Sequence, residues 1–460
     1  MELAYKVKDK PELKKIFFFA LQQLLSILAG TISIPLIVGN GLSQSAALFG
    51  ASVGTLTYLV ITKFKSPVFL SSSFTFLGSM MSAFAGAASV AIGYVGIIFG
   101  ALMSGLVYVI LSIIVHFTGT GWVEKIFPPV IIGPVVALIG LTLAPNAIRN
   151  LTTGNVFVDG VSVANPYLCL GIGLVALLIS VIVSIHGKGF IKLVPFIFGI
   201  IGGYIIATIF TLIGNGANIN ALKVIDFTPL SHIEWYPRFA FLKLGDGFKD
   251  LISTGTAGKY FLLIFTLYVP ISFAVFSEHI ADHKNLSNII GTDLLKNPGL
   301  DHTLMGDGLG SMVGAIFSGS ANTTYGESIS CVAFSKNASI ITIVVTSLLG
   351  IVISFIGPVM TFFATIPTCV VGGLSIALYG YIAASGFKLL KQVNLSDIRN
   401  IFIISSIFIV GIGGLAIQVY YLEFSPVACA LVIGLLINLI THTKKDKKID
   451  EDMDNISKKE

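Results

Sequence analysis

The stretch Ser318–Gly–Ser–Ala–Asn–Thr–Thr–Tyr–Gly–Glu327 places small polar residues and a carboxylate inside an otherwise apolar region of the chain. A second carboxylate has similar surroundings in Ser277–Glu–His279. Because a carboxylate near the middle of a membrane segment is costly to insert, its presence there indicates a functional site. The main question about the protein is therefore what these two stretches bind.

The composition is that of a polytopic membrane protein. Of the 460 residues, 55% are hydrophobic and 11% are charged, whereas about 25% are charged in an ordinary soluble domain. The apolar residues form runs of about 20, which is the length that crosses a hydrocarbon core as a helix. The 48 glycines suit close helix packing and broken helices in a membrane. A water-soluble globular protein is excluded.

We count fourteen membrane segments from the apolar runs and the Gly, Pro, Asn and charged residues that interrupt them. The first seven lie near 16–38, 46–62, 67–85, 89–117, 127–147, 165–186 and 190–214. After a polar, aromatic loop, the others lie near 259–282, 304–318, 324–335, 338–363, 366–386, 399–420 and 424–442. A seven-segment unit followed by a second copy is inverted in the membrane, as is common in secondary transporters. The prediction is an all-α fold of two inverted seven-segment repeats.

Basic residues predict the orientation of these segments. If both termini are cytoplasmic, the inner connections carry Lys63, Lys65, Lys125, Lys188, Lys192, Lys284, Lys296, Lys336, Lys388, Lys391 and Arg399. The short outer connections carry Arg149 alone, as the positive-inside rule requires. The basic termini are interpreted as anchors at the inner face of the bilayer rather than as nucleic-acid patches. We expect a multi-pass protein of the cell (inner) membrane with both termini cytoplasmic and no nucleic-acid partner.

Two short segments with polar centres stand at corresponding positions of the two halves. The third contains Ser71–Ser–Ser–Phe74, and the tenth contains Asn322–Thr–Thr–Tyr–Gly–Glu327. Short, interrupted segments at matching positions are the best pointer in a sequence to the binding site of a transporter. The alternative is that their hydroxyl groups bond back to helix carbonyls. The openings of the fifth and twelfth segments, Phe127–Pro–Pro and Ile366–Pro–Thr, also match.

Glu278, His279, Asp282 and His283 end the eighth segment, and Glu278 and Asp282 are four apart and share a helix face. One interpretation is that this end has reached the cytoplasmic headgroups, as we expect of His283 and Lys284. For Glu278 we expect a buried site instead. His-x-x-x-His spacing can ligate zinc, but no third ligand lies nearby in sequence, so neither a metal nor another cofactor is predicted.

The residues around Glu327 suit a flat heterocycle with both N–H and C=O groups. Carboxylates would accept hydrogen bonds from the ligand, and backbone amides at Phe74 and Gly326 would donate to its carbonyl oxygens. Aromatic walls would come from Phe74, Tyr325 or Tyr379. No phosphate-binding loop or nucleophile elbow is present in the sequence, so we predict no enzyme. Energy would come from an ion gradient, because carboxylates in a low dielectric can take up and release protons.

At these residues the chain resembles the uracil permeases of the nucleobase–cation symporter (nucleobase/ascorbate transporter) family. The resemblance covers nearly the whole chain, and its most specific part is Asn322–Thr–Thr–Tyr–Gly–Glu327. The other matching pieces are Ser71–Ser–Ser–Phe74, Gly119–Thr–Gly–Trp122 with Phe127–Pro–Pro129, Ser277–Glu–His279, Asn297–Pro–Gly–Leu300, and Gly372–Gly373 with Leu378–Tyr–Gly380.

The resemblance implies a core domain and a gate domain, with short extended strands in segments 3 and 10. The core would comprise 1–117 (segments 1–4) and 259–363 (segments 8–11). The gate would comprise 118–214 (segments 5–7) and 364–442 (segments 12–14). An extracellular loop at 215–258 and a cytoplasmic tail at 443–460 complete the chain. Family members are proton symporters in the lipid bilayer and often homodimers.

The resemblance also implies roles for single residues. Glu278 and Glu327 resemble the uracil-binding carboxylates of the family, and Phe74 and Gly326 its backbone donors. Tyr325 and Tyr379 resemble its nearby aromatics, and Gly30 stands where the family has a small residue against the base. Proton coupling is expected of Glu278, Asp282 and His279.

Two departures from the family pattern keep alternatives open. Many relatives have Gln–His in the first segment where this chain has Gln22–Gln23, and some have His at the position of Asp282. An Asp there is similar to the purine-transporting relatives. We expect proton-coupled uracil import; the alternatives are a purine or xanthine symporter, a passive nucleobase channel and a sensor.

Overall fold

The structure, a computed structural model, describes residues 3–119, 122, 128–158, 161–188, 191, 195–231, 233, 235–391, 393–419, 422–424 and 426–441. The predicted tail at 443–460 lies outside the described residues, as does Phe127. The helices are α1 (Leu13–Val38), α2 (Gln44–Ile61), α3 (Leu77–Ala85), α4 (Val90–Thr118), α5 (Pro129–Thr142), α6 (Ala144–Leu151), α7 (Pro166–His186), α8 (Pro195–Gly216), α9 (Leu244–Thr254), α10 (Ala257–Ile290), α11 (Leu300–Ser318), α12 (Gly326–Ser335), α13 (Ile340–Ser354), α14 (Gly357–Ala364), α15 (Thr368–Leu390), α16 (Ile398–Ile412) and α17 (Pro426–Ile440). The strands are β1 (Leu70–Ser72), β2 (Phe157–Val158), β3 (Val161–Ser162), β4 (Asn322–Thr324), β5 (Ile417–Val419) and β6 (Leu422–Phe424).

Several helices have the length and composition of membrane spans. Within the described residues seven such stretches occur: α1, α2, α4, α5 with α6, α7, α8 and α10. The bent pair of α13 and α14 makes an eighth if it is one span, and α16 and α17 are shorter apolar helices. Helices suit this setting because they satisfy their own backbone hydrogen bonds where water is absent. The chain is a mostly helical, multi-pass membrane protein; the count of fourteen spans stays a prediction.

The third and tenth predicted segments each contain a strand followed by a short helix. The strands β1 and β4 pair antiparallel, with Leu70 opposite Thr324 and Ser72 opposite Asn322. A 3₁₀ turn at Phe74–Phe76 joins β1 to α3, and α12 begins two residues after β4. The two short strands that the resemblance implies are therefore present, and they pair with each other side by side.

Side chains from neighbouring helices satisfy the ends of this small sheet. The amide of Leu70 donates to Thr55 Oγ1 at 2.9 Å, and the amide of Asn322 donates to Ser311 Oγ at 2.9 Å. The amide of Phe69 donates to Ser328 Oγ, also at 2.9 Å. Buried backbone groups need such partners, so the Ser and Thr residues around the strands make an extended backbone possible inside an apolar fold.

Helix α10 differs from its predicted extent. The apolar run suggested an end at residue 282, but the helix continues to Ile290 and stops at Gly291, which has φ +70°. A glycine in this left-handed conformation is a common helix end. Polar residues after the apolar run therefore extend the same helix, and this change carries His283 into the interior.

Two other predicted segments are also broken. The segment at 338–363 consists of α13 and α14, which are bent by 79° across a short break with Pro358 in the first turn of α14. The prediction of a segment at 399–420 was wrong at its end. Helix α16 ends at Ile412, followed by Gly413 and Gly414 (φ +73°), and Ile417–Val419 forms the strand β5, paired with β6.

Glycine lets α11 lie in backbone contact with both α2 and α4. A Cβ atom placed on Gly54 would lie 2.6 Å from the carbonyl oxygen of Gly310. One placed on Gly105 would lie 2.7 Å from the carbonyl oxygen of Gly308. Any side chain at these positions would push the helices apart, so these three helices form one tightly packed group.

A second glycine-packed group contains α5, α7 and α15. A Cβ atom on Gly133 would lie 3.0 Å from the carbonyl oxygen of Gly386, which joins α5 to α15. One on Gly173 would lie 2.5 Å from the carbonyl oxygen of Cys369, which joins α7 to α15. The same packing device thus recurs in a different set of helices.

Candidate functional site

The pairing of β1 and β4 places two interrupted segments beside α10. Thr75, in the turn after β1, donates from Oγ1 to Oε2 of Glu278 at 3.2 Å. Thr324, the last residue of β4, donates from Oγ1 to Oδ2 of Asp282 at 3.0 Å. Each interrupted segment therefore contributes a hydroxyl to one of the two carboxylates that share a face of α10.

Glu327 lies in the first turn of α12 and forms a cluster with these carboxylates. It is close enough to Glu278 and Asp282 for electrostatic repulsion among the three groups, all of which are half-buried. Like charges in a partly dehydrated site disfavour one another's ionised form. A ligand that donates N–H groups, or a proton, would relieve this repulsion. The arrangement suits a ligand with hydrogen-bond donors or a cationic charge.

Tyr325 and Gly30 are in direct contact. The space that a Cβ atom on Gly30 would need is taken by the hydroxyl of Tyr325, whose ring also lies near Glu278 and Glu327. That hydroxyl is buried and has no hydrogen-bond partner among the described residues. Gly30 thus makes room for the tyrosine at the edge of the carboxylate cluster.

The other predicted site residues differ in their exposure and in what surrounds them. Gly326 is exposed, and a Cβ atom there would have nothing within 4 Å, so its surroundings have room for a ligand. Phe74 is 9% exposed in the turn beside Thr75. Tyr379 is buried in α15, which packs against α1, and its carbonyl lies against Gly140 of α5. Tyr379 is therefore held by the second glycine-packed group.

His279 leads to a residue that the sequence analysis missed. Its Nδ1 lies 2.7 Å from Oδ2 of Asp307 in α11, and its Nε2 lies 3.1 Å from Oγ1 of Thr303. Thr323 of β4 also donates to Asp307 Oδ2, at 3.2 Å. Asp307 is 1% exposed. The rule that singled out Glu278, a charge within an apolar segment, also applies to Asp307 and could have found it.

The prediction that His283 reaches the headgroups was wrong. The side chain is 1% exposed, its Nδ1 bonds to the carbonyl of His279 at 2.8 Å, and its Nε2 lies 2.7 Å from the hydroxyl of Tyr58. Tyr58 in turn donates to Ser66 Oγ at 2.7 Å. Because α10 continues to Ile290, His283 packs against α2 rather than ending at the surface. Lys284, the next residue, is exposed.

Gln23 is the residue at which the sequence analysis noted a departure from the pattern of the family it resembles. Its Nε2 donates to the carbonyl of Ser328 at 3.3 Å and also to Ser328 Oγ. Ser328 directly follows Glu327 and accepts the amide of Phe69 just before β1. The Gln23 side chain therefore links α1 to α12 and, through Ser328, to the residue that precedes β1.

Fold and site together define a class of protein. A multi-pass membrane protein with two broken segments that meet beside a cluster of carboxylates has the architecture of a secondary transporter. Residues 14–419 match the sequence profile of the permease family. Because this match covers most of the chain, the protein belongs to that family.

Similar proteins span nearly the full length of this chain. A uracil permease of Bacillus subtilis (strain 168) is 33% identical over 454 residues, which are 96% of each chain. A uracil permease of Bacillus caldolyticus is 32% identical over 437 residues, or 94% of each. A uracil permease of Escherichia coli (strain K12) is 28% identical over 443 residues, or 94% of this chain and 93% of that one.

Solved structures support the fold. SLC26A9 aligns with a TM-score of 0.61 at 13% identity, covering 94% of this chain and 66% of that longer chain. The transmembrane domain of the cyanobacterial bicarbonate transporter BicA aligns with a TM-score of 0.53 at 13% identity, covering 94% of this chain and 99% of that one. At this level of identity the similarity concerns the fold alone.

Proposed function

We propose that the protein imports uracil together with protons across the cell membrane. The main support is the carboxylate cluster beside the paired strands β1 and β4, in a chain whose relatives at 32–33% identity are uracil permeases. Uracil is flat and carries two N–H and two C=O groups, so it needs acceptors and donors in one plane. The cluster offers the acceptors, and the starts of the short helices offer backbone donors.

In this proposal each predicted site residue has one role. Glu278 accepts an N–H of the base and Glu327 fixes the ring, while the amides of Phe74 and Gly326 donate to its carbonyl oxygens. Tyr325 and Tyr379 form aromatic walls, and Gly30 leaves the space that Tyr325 occupies. The open surroundings of Gly326 and the close Tyr325–Gly30 contact are the observations that favour this arrangement.

Protons would be taken up by the same cluster. Glu278 and Asp282 share a face of α10 and repel each other and Glu327, so one proton bound among them lowers the repulsion. Binding of uracil to a protonated cluster would then link the two cargoes. His279, buried beside Asp307, would pass on or stabilise this charge.

The proposed architecture has fourteen spans in two inverted repeats, with a core that moves against a gate. The core would hold α1–α4 and α10–α14, and the gate α5–α8 and α15–α17. The glycine contacts support this division, because those of α2, α4 and α11 join proposed core helices and those of α5, α7 and α15 join proposed gate helices. The proposal includes a homodimer in the inner membrane with both termini cytoplasmic.

Uptake of radiolabelled uracil into proteoliposomes tests this function. We expect saturable uptake that unlabelled uracil suppresses and that Glu278→Gln abolishes while the protein stays folded. The presence of Asp at position 282 favours a purine or xanthine symporter. If unlabelled xanthine suppressed the uptake more strongly than unlabelled uracil, that alternative would be established. Flux that does not saturate would point to a channel, and binding without flux would point to a sensor.

A further inference from the structure

A small cavity lies beside β4 and is lined by none of the three clustered carboxylates. It measures about 10 Å³, and its walls come from α4, α10, α11, β4 and the turn after β1. The lining side chains Tyr108, Asp307, Ser311 and Asn322 are each less than 5% exposed. A space of this size has room for one water molecule but for nothing larger.

Three polar atoms of the lining residues lack a partner. They are the Tyr108 hydroxyl, Asp307 Oδ1 and Asn322 Oδ1, none of which bonds to another described residue. The Tyr108 hydroxyl lies close to Thr323, and the Asp307 carboxylate lies close to the backbone amide of Thr324, but neither contact gives these atoms a hydrogen bond of ordinary geometry. An unpartnered polar atom in an apolar interior costs about 1–3 kcal/mol, so three beside one cavity indicate a shared partner.

The chemistry of the three atoms matches a water molecule. The carboxylate and amide oxygens are acceptors, and the tyrosine hydroxyl is a donor. A water molecule can donate one hydrogen to Asp307 Oδ1 and one to Asn322 Oδ1 while accepting from Tyr108. Ser311 Oγ accepts a hydrogen bond from the amide of Asn322. The hydrogen of the Ser311 hydroxyl can therefore be donated to the oxygen of the water molecule. Three to four hydrogen bonds are usual for a buried water.

We propose that this cavity is a binding site for one structural water molecule that joins Tyr108, Asp307 and Asn322 and fixes the start of β4. The other carboxylate oxygen of Asp307 already binds Thr323 of the same strand. The water would therefore hold β4 at Asn322 while Asp307 holds it at Thr323. Because β4 leads directly to Tyr325, Gly326 and Glu327, Tyr108 is a positioning residue for the substrate site.

A matched pair of substitutions at Ser104 tests the site. Ser104 lines the cavity, and its hydroxyl bonds to that of Ser272, whose own hydrogen is also within reach of the carbonyl of Tyr268. Ser104→Thr keeps the hydroxyl and adds a methyl group that competes with the water, whereas Ser104→Ala leaves room for it. We expect Ser104→Thr to weaken uracil binding about threefold to tenfold, as the loss of one hydrogen bond would. Ser104→Ala should stay within about twofold of the wild type, with maximal uptake at saturating uracil less affected in both.

A second pair covers the case in which Ser104→Thr does not fold. Tyr108→Phe removes the proposed donor to the water, and Tyr268→Phe removes another buried, unpartnered hydroxyl that does not line the cavity. We expect weaker uracil binding in Tyr108→Phe alone, measured on folded protein, and a lower unfolding temperature in that variant, because only Tyr108→Phe loses a hydrogen bond. The proposal would be overturned if the two Ser104 variants bound uracil equally well and Tyr108→Phe and Tyr268→Phe also bound it equally well.

The uracil measurements rest on the proposed function, but a density map does not. A map that resolves ordered waters should show one isolated peak at about 2.7–3.2 Å from Tyr108, Asp307 and Asn322. The assignment to water would be overturned if the map showed no peak. It would also be overturned if the peak had clearly shorter contacts and were present only with sodium. A peak in a protein that does not transport uracil would leave the water site standing and refute the proposed function.

Discussion

His279 and Asp307 form a buried pair, with Nδ1 of the imidazole 2.7 Å from Oδ2 of the carboxylate and both side chains at most 1% exposed. Thr303 bonds to Nε2 of His279, and Thr323 donates to the same Oδ2 of Asp307 that faces His279. The pair therefore ties α10 to α11 and β4, directly behind the carboxylate cluster.

Removing Asp307 should destabilise the protein strongly. Asp307→Ala leaves the buried donors of His279 and Thr323 without their acceptor, and each unsatisfied buried group costs about 1–3 kcal/mol. Asp301→Ala is a suitable control, because Asp301 also contacts two histidines, His116 and His302, but in a more exposed place. An ion pair in such an exposed place contributes about 0–1 kcal/mol to the free energy of unfolding. Thermal unfolding in detergent should show a clearly larger loss for Asp307→Ala, and equal losses would contradict the buried pair.

Gly30→Ala should reduce uracil uptake by displacing Tyr325. The new methyl group would occupy the place of the Tyr325 hydroxyl, so the ring must move away from the cluster. Combining Gly30→Ala with Tyr325→Phe removes one clashing atom and should recover part of the packing. Gly78→Ala in α3 is the control, because nothing lies within 4 Å of a Cβ atom there. Binding of uracil by Gly30→Ala at the strength of Gly78→Ala would show that Tyr325 is not displaced.

Gly326→Ala should leave the fold intact but weaken uracil binding. A Cβ atom at this position meets no protein atom within 4 Å, so the folded state has space for it. If uracil binds against this backbone, the methyl group takes part of the same space, and the apparent KM rises. Gly171→Ala is equally unobstructed and lies in α7, which contributes no residue to the cluster. Unchanged KM values for both variants would remove Gly326 from the site.

Gln23 offers a test of a departure from the family pattern. Gln23→His keeps an N–H donor for Ser328 and should transport uracil at a rate close to the wild type. Gln23→Leu has no donor, and losing its hydrogen bonds to Ser328 should cost about 1 kcal/mol of stability and slow uptake. Uptake rates of the two variants, normalised to folded protein, make the comparison. Equal rates would show that the link between α1 and α12 is dispensable.

The sequence predicted the parts of the fold that depend on local pattern. Apolar runs located most membrane helices to within a few residues, and the short polar stretches at Ser71 and Asn322 marked the two strands. It did not predict the end of α10, because the polar residues after Asp282 resemble a surface end until Tyr58 is seen to bury His283.

The partners of the site residues could not be predicted in the same way. Thr75 and Glu278 are 203 positions apart, and Gln23 and Ser328 are 305 apart. Such contacts depend on how the two halves of the chain pack, which no local pattern reveals. Asp307 is different, since its charge within an apolar, glycine-rich helix was visible in the sequence, although its pairing with His279 was not.

The most direct test of the central claim is uracil accumulation in proteoliposomes under an imposed proton gradient. With acid outside, we predict that wild-type protein concentrates radiolabelled uracil above the external level. A protonophore should abolish this accumulation, as should Glu278→Gln. Equilibration of uracil to the same level with and without the gradient would contradict proton-coupled import.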